Sequence, residues 1–218
     1  MNVLLINTEP EQLRSELVNF FLSHEEIQYV VIINSMNDKK ITSSIDLEFD
    51  LVNKIHSLLV NFQIVDELNK IISRLFETFG TFSKIIYVER IPEFIPESFH
   101  GFIADFSFFL LSALQKKINF FQIFIKRIID MSLTVKILVL IPHIAQTKFI
   151  DSNIGQSILF SSFHALTTAI ADEFIDNNII CNALVQDSHY LETMSWLLFD
   201  QENNYHGKLF QNKKIIDW

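Results

Sequence analysis

The run SILFSSFHALTTAIADEFIDNNIICNAL, residues 157–184, carries two periodicities on either side of a polar turn. In its first part Leu159, Phe163, Leu166, Ile170 and Phe174 recur at the spacing of one helix face. After Asp176-Asn177-Asn178 the pattern changes to the short run Ile179-Ile180-Cys181-Asn182-Ala183-Leu184, almost wholly apolar on both sides of a strand. A strand with two apolar faces must be covered above and below, which helices packed on a parallel sheet provide. The stretch therefore predicts a helix leading into a buried strand of an α/β domain.

The same alternation continues outward. NVLLIN (2–7), QYVVIIN (28–34), HSLLVNF (56–62), SKIIYVE (83–89) and VKILVLI (135–141) read as short buried strands. PEQLRSELVNFFLSH (10–24) reads as a helix, with Leu13, Leu17, Phe20 and Phe21 on one face and Pro10 at an early position. VDELNKIISRLFETFG (65–80) places Leu68, Ile71, Ile72, Leu75 and Phe79 in a stripe that Gly80 stops. A loop around Pro92 and Pro96 precedes a long helix over 105–131. LETMSWLLFD (191–200) is a last helix and GKLFQN (207–212) a last strand. The order predicts a Rossmann-like, doubly wound three-layer α/β sandwich, one domain over 1–218, with a mostly parallel sheet of about seven strands.

Composition narrows the function classes. Hydrophobic residues make up 49% of the 218, and 22 residues are Phe, which favours a buried core over disorder. A net charge of −9 lacks the basic footprint of a nucleic-acid surface. Lys39-Lys40 and Lys213-Lys214 read as solvated loop or edge residues. The single cysteine, Cys181, sits in an apolar run and reads as a buried structural thiol, with no disulfide or thiolate cluster within the chain. The seven histidines (24, 56, 100, 143, 164, 189, 206) include no H-x-x-x-H pair, so no metal is expected. Asp187-Ser188-His189 has the composition of a triad, but there is no G-x-S-x-G nucleophile elbow. MNVLLINTEP lacks the basic start and long apolar centre of a signal peptide, and the longest apolar runs fall short of the ~18 residues that span a bilayer. The expectation is a soluble, cytoplasmic protein.

Three collinear segments carry a resemblance. LTTAIADEFIDNNIICNALV (166–185) looks like the helix and strand that follow the active site of short-chain dehydrogenases/reductases, down to Ala171, Glu173 and Asn182. LFETFGTFSKIIYVE (75–89) resembles the elements before that family's Asn-Asn-Ala-Gly turn. LETMSWLLFDQENNYHGKLFQNKKI (191–215) resembles its closing helix and strand, with Gly207 at the Thr-Gly position. The flavour is that of the 3-oxoacyl reductases. The resemblance implies the Rossmann-like fold, a nicotinamide cofactor and a catalytic group of Asn, Ser, Tyr and Lys.

At each of those sites the sequence departs. The family's cofactor turn is Thr-Gly-x-x-x-Gly-x-Gly, whose glycines let the backbone approach the pyrophosphate at a helix N-terminus. Here Thr8, Gln12 and Arg14 stand at the glycines, and Glu9 and Glu11 add negative charge. The four glycines of the chain, at 80, 101, 155 and 207, offer no other phosphate loop. The Asn-Asn-Ala-Gly turn reads Tyr87-Val88-Glu89-Arg90. The same register puts Asn119 at the catalytic Asn, His143 at the Ser, Gln156 at the Tyr and Phe160 at the Lys. Gln156 has no proton to give at neutral pH, and Phe160 can neither lower a pKa nor hold a ribose. Gln186-Asp187 replaces the Pro-Gly that opens the family's substrate lid, and the chain passes almost directly into the last helix.

These departures point to a catalytically inactive homologue that binds no cofactor and acts as a structural or regulatory subunit. Its expected partner is a second copy, or an active short-chain reductase or biosynthetic enzyme of the fatty-acid or polyketide type. The expected contact surface is a row of small residues, Ser161, Ala165 and Ala169, with Ile158 and Ser162 beside it, which lets another helix approach closely. The long helix, apolar around most of its circumference, supports the same expectation. The alternative is a divergent oxidoreductase or ligand-binding protein using His143 and Asn119. In the plainer view, His143 is a loop histidine and Asn119 satisfies backbone groups.

Overall fold

The structure is a computed structural model that describes residues 1–7, 11–35, 53–89, 99–142, 154–200 and 202–216. The strands are β1 (Asn2–Ile6), β2 (Tyr29–Ser35), β3 (Ile55–Val60), β4 (Phe82–Val88), β5 (Val135–Pro142), β6 (Ile179–Gln186), β7 (Leu209–Gln211) and β8 (Lys214–Ile215). The helices are α1 (Glu11–Leu22), α2 (Val65–Phe79), α3 (Phe99–Asp130), α4 (Ile154–Glu173) and α5 (Tyr190–Phe199). The sheet runs β3-β2-β1-β4-β5-β6-β7-β8. Its order reverses beside β1, as in the doubly wound Rossmann-like folds. The α/β reading holds, with eight strands where about seven were expected.

The chain forms two compact units, one of Met1–Ile86 and Lys116–Val135, the other of Tyr87–Gln115 and Lys136–Trp218. In the first, β1 is buried along its whole length and pairs in parallel with β2, Leu4 opposite Val31. β2 pairs in parallel with β3, Ile32 opposite Ser57. Leu13, Leu17, Val18 and Phe21 form the buried face of α1, so Val18 takes the place expected of Phe20. α2 buries Leu68, Ile71, Ile72, Leu75, Phe76 and Phe79 and ends at Gly80 as expected. Gly80 has φ 73°, and its N–H returns to the Phe76 carbonyl. Asn2 donates from Nδ2 to the carbonyls of Phe79 and Thr81, which ties β1 to the turn after α2. Much of the phenylalanine excess collects here: Phe120 stacks on Phe62 and Phe124, and Phe76 and Phe82 meet edge to face. Such pairs contribute about 0.5–1.5 kcal/mol each beyond the area they bury.

In the second unit β6 pairs in parallel with β7, Ala183 opposite Leu209. Cys181 is a buried thiol, as its apolar run indicated. The eighth strand was not foreseen. Asn212 and Lys213 both have positive φ, 51° and 58°, and turn the chain so that Ile215 pairs antiparallel with Phe210. A two-residue turn with both φ positive matches the twist of paired strands. Lys213 lies in that turn and Lys214 on the exposed last strand, a placement that discourages edge-to-edge pairing. His206 and Gly207 join β6 to α4. The His206 Nδ1 accepts the Cys181 N–H at 3.1 Å, so its Nε2 carries the proton and donates to the Ala171 carbonyl at 2.6 Å. Gly207, with φ 66°, gives its N–H to the Cys181 carbonyl.

Candidate functional site

Where the resemblance sets the family's cofactor turn, β1 is followed by Asn7, a buried residue with φ 58° whose N–H donates to the Ile33 carbonyl at 2.8 Å. Thr8 and Glu9 lie outside the described residues. Gln12 and Arg14 lie in the first turns of α1, and their side chains run along that helix. Gln12 Nε2 reaches Glu16 Oε1 at 3.4 Å, and Arg14 Nη2 donates to Glu11 Oε1 at 2.9 Å. These are ordinary one-turn pairs. They leave Glu11 as the acidic residue of the first turn of α1.

Asn119 is buried in the middle of α3, and its Nδ2 donates to the Phe62 carbonyl just beyond β3, at 3.3 Å. It thus satisfies a buried backbone group, the plainer of its two sequence readings. His143 lies outside the described residues. Gln156, Ile158 and Phe160 fall within α4, but their side chains are outside the described set. Farther along α4, Ser161, Ala165 and Ala169 are exposed and Ser162 is half-buried. The buried face there is Thr167, Ile170 and Ala171, with Leu166 and Phe174 only half-buried. Of the apolar stripe expected there, Ile170 is buried and Leu166 and Phe174 are half-buried, while the side chains of Leu159 and Phe163 lie outside the described residues. His164 is partly buried on α4, and desolvation holds its imidazole below its ordinary 6.5.

Beyond β6 only Asp187, Ser188 and His189 precede α5. Asp187 Oδ1 accepts the His189 N–H at 2.8 Å, so Asp187-Ser188-His189 forms a local turn.

Sequence reasoning passed over several buried ionisable residues, Glu89 and Lys117 among them. Glu89, 4% exposed at the end of β4, donates its N–H to the Leu140 carbonyl. Lys117, on α3, is 1% exposed. Neither stands unpartnered. Lys117 had a legible signal: Phe120, Phe121 and Phe124 follow it at helical spacing on the buried face. Among the described residues no group of His, Cys, Asp or Glu is placed to hold a metal ion, and no helix is long and apolar enough to cross a membrane.

No family model and no curated protein sequence matches this chain. Solved structures do. A short-chain dehydrogenase from Leptospira borgpetersenii with bound NAD+ matches with a TM-score of 0.69 and 14% identity, over 96% of this chain and 89% of its own. A short-chain dehydrogenase from Mycobacterium smegmatis gives 0.70 and 12%, over 95% and 89%. Acetoin dehydrogenase from Enterobacter cloacae gives 0.67 and 10%, over 95% and 92%. The fold is that of the short-chain dehydrogenases/reductases. At these identities the likeness concerns the fold alone.

Proposed function

We propose that this chain is a catalytically inactive relative of the short-chain reductases, a structural or regulatory subunit that pairs with an active reductase or a biosynthetic enzyme of the fatty-acid or polyketide type. The observation that carries the reading is the set of residues at the positions that matter: Gln12 and Arg14 for cofactor glycines, Gln156 and Phe160 for the proton donor and its activating cation. Loss of a positioned acid or base alone typically lowers a rate by about 10²–10⁴. The side-chain amide of Asn119, bonded to Phe62, supports a structural role for the one catalytic residue type that persists. The three residues between β6 and α5 provide little chain for closing a substrate pocket.

The proposed partner surface is carried by the exposed row Ser161, Ala165 and Ala169 on α4 and by Leu111 on α3, which is 67% exposed. Small side chains let a second helix come close, and an exposed leucine adds apolar area to the contact. The activity half of the proposal is tested by incubating the purified chain with NADH or NADPH and a panel of 3-oxoacyl thioesters, following absorbance of the reduced cofactor. Expected turnover is below about 10⁻³ s⁻¹, against a common enzyme value near 10 s⁻¹. Steady turnover at a typical enzyme rate overturns it.

A further inference from the structure

The end of α5 and the segment after it form an open recess of about 440 Å³, lined by Trp196, Asp200, Glu202, Asn203, Asn204 and Tyr205. All of these belong to the second unit. Trp196 and Tyr205 meet at a centroid distance of 5.5 Å, and both rest on the fully buried ring of Phe210, at 5.7 and 5.3 Å. That floor fixes two aromatic rings at the surface, where Tyr205 stays 41% exposed. Asn203 holds the segment in place: its Nδ2 donates to the Trp196 carbonyl at 2.8 Å. Asp200 Oδ1 takes the Glu202 N–H at 3.0 Å, which brings both acidic residues to one turn.

This end of α5 already holds an ammonium group. Lys136 Nζ lies 3.1 Å from the carbonyls of Leu197 and Asp200 and 3.4 Å from that of Asn203. Two carboxylates against that one ammonium leave the turn with an excess of negative charge, and the C-terminal end of the helix adds to it. Aromatic faces are themselves negative and attract cations, most strongly where water is partly excluded. We propose that the recess binds a small free alkylammonium compound, its cationic head against Trp196 and Tyr205 and beside the carboxylates of Asp200 and Glu202. The volume lies in the range of small-molecule sites. The site uses none of the residues that the proposed function rests on.

The test uses the full chain carrying Trp218→Phe, so that Trp196 is the single indole. Its fluorescence is followed while choline or tetramethylammonium is added, with 3,3-dimethylbutan-1-ol as the uncharged match in shape. A saturable change with either cation and none with the alcohol is expected. Tyr205→Leu should weaken binding about tenfold and Glu202→Gln about threefold, in line with the usual strength of such contacts. Glu202 is exposed, so its substitution reports on charge without threatening the fold. No saturation by about 50 mM cation, equal binding of the alcohol, or variants that bind like the parent each overturns the proposal.

Discussion

Gly207 stands just before β7 and gives its N–H to the Cys181 carbonyl. The resemblance marks it through the family's Thr-Gly position, but not the reason only glycine suits. Its φ of 66° is strained for any other L-residue, and an added Cβ would lie 3.3 Å from the Cβ of Ala171. Beside it, His206 bridges the Cys181 N–H and the Ala171 carbonyl, so displacing this turn would disturb both bonds. Gly207→Ala should therefore cost about 1–2 kcal/mol, seen as a lower urea midpoint with an unchanged slope. An unchanged midpoint would show that the turn gives way freely. Lys117 is the opposite case. Its charge suggests solvent, whereas its register with Phe120, Phe121 and Phe124 puts it among the buried residues, and the register prevails.

Among the elements, strands buried on both faces were the easiest to read. β1, β4, β5 and β6 lie within about two residues of their expected limits, because a continuous apolar run bounded by polar residues has few other uses in an α/β chain. β8 was hidden, since its two residues are both exposed and carry no periodicity; the positive φ values before it create the strand. α4 was placed correctly and Ile170 of its expected face is buried, but Thr167 is buried too and a purely apolar count passes over it. α5 depends on a residue from another element. Lys136 of β5 supplies the last carbonyls of the helix and its following turn with a donor, and burial lowers its pKa while Asp200 raises it. Lys136→Met should destabilise the chain by about 1–3 kcal/mol and speed amide exchange at the end of α5. Unaltered exchange there would mean that water serves those carbonyls equally well.

For the whole molecule, the scaffold and the candidate site were legible to different degrees. The scaffold was legible because burial patterns repeat along the entire chain. The candidate site was legible only residue by residue, through the resemblance. That resemblance sets Gln12 and Arg14 at glycine positions, and their partners Glu16 and Glu11 are neighbours on α1, a pairing that helical spacing alone would have suggested. Whether a crevice admits a ligand depends on backbone paths that residue identity does not encode. On the proposed function, no pyridine dinucleotide binds and the protein acts through its surfaces. Equilibrium dialysis of the purified chain against NADH and NADPH tests it most directly. The account predicts no retained nucleotide at about 100 μM free cofactor; saturable retention approaching one molecule per chain, with micromolar affinity, would contradict it.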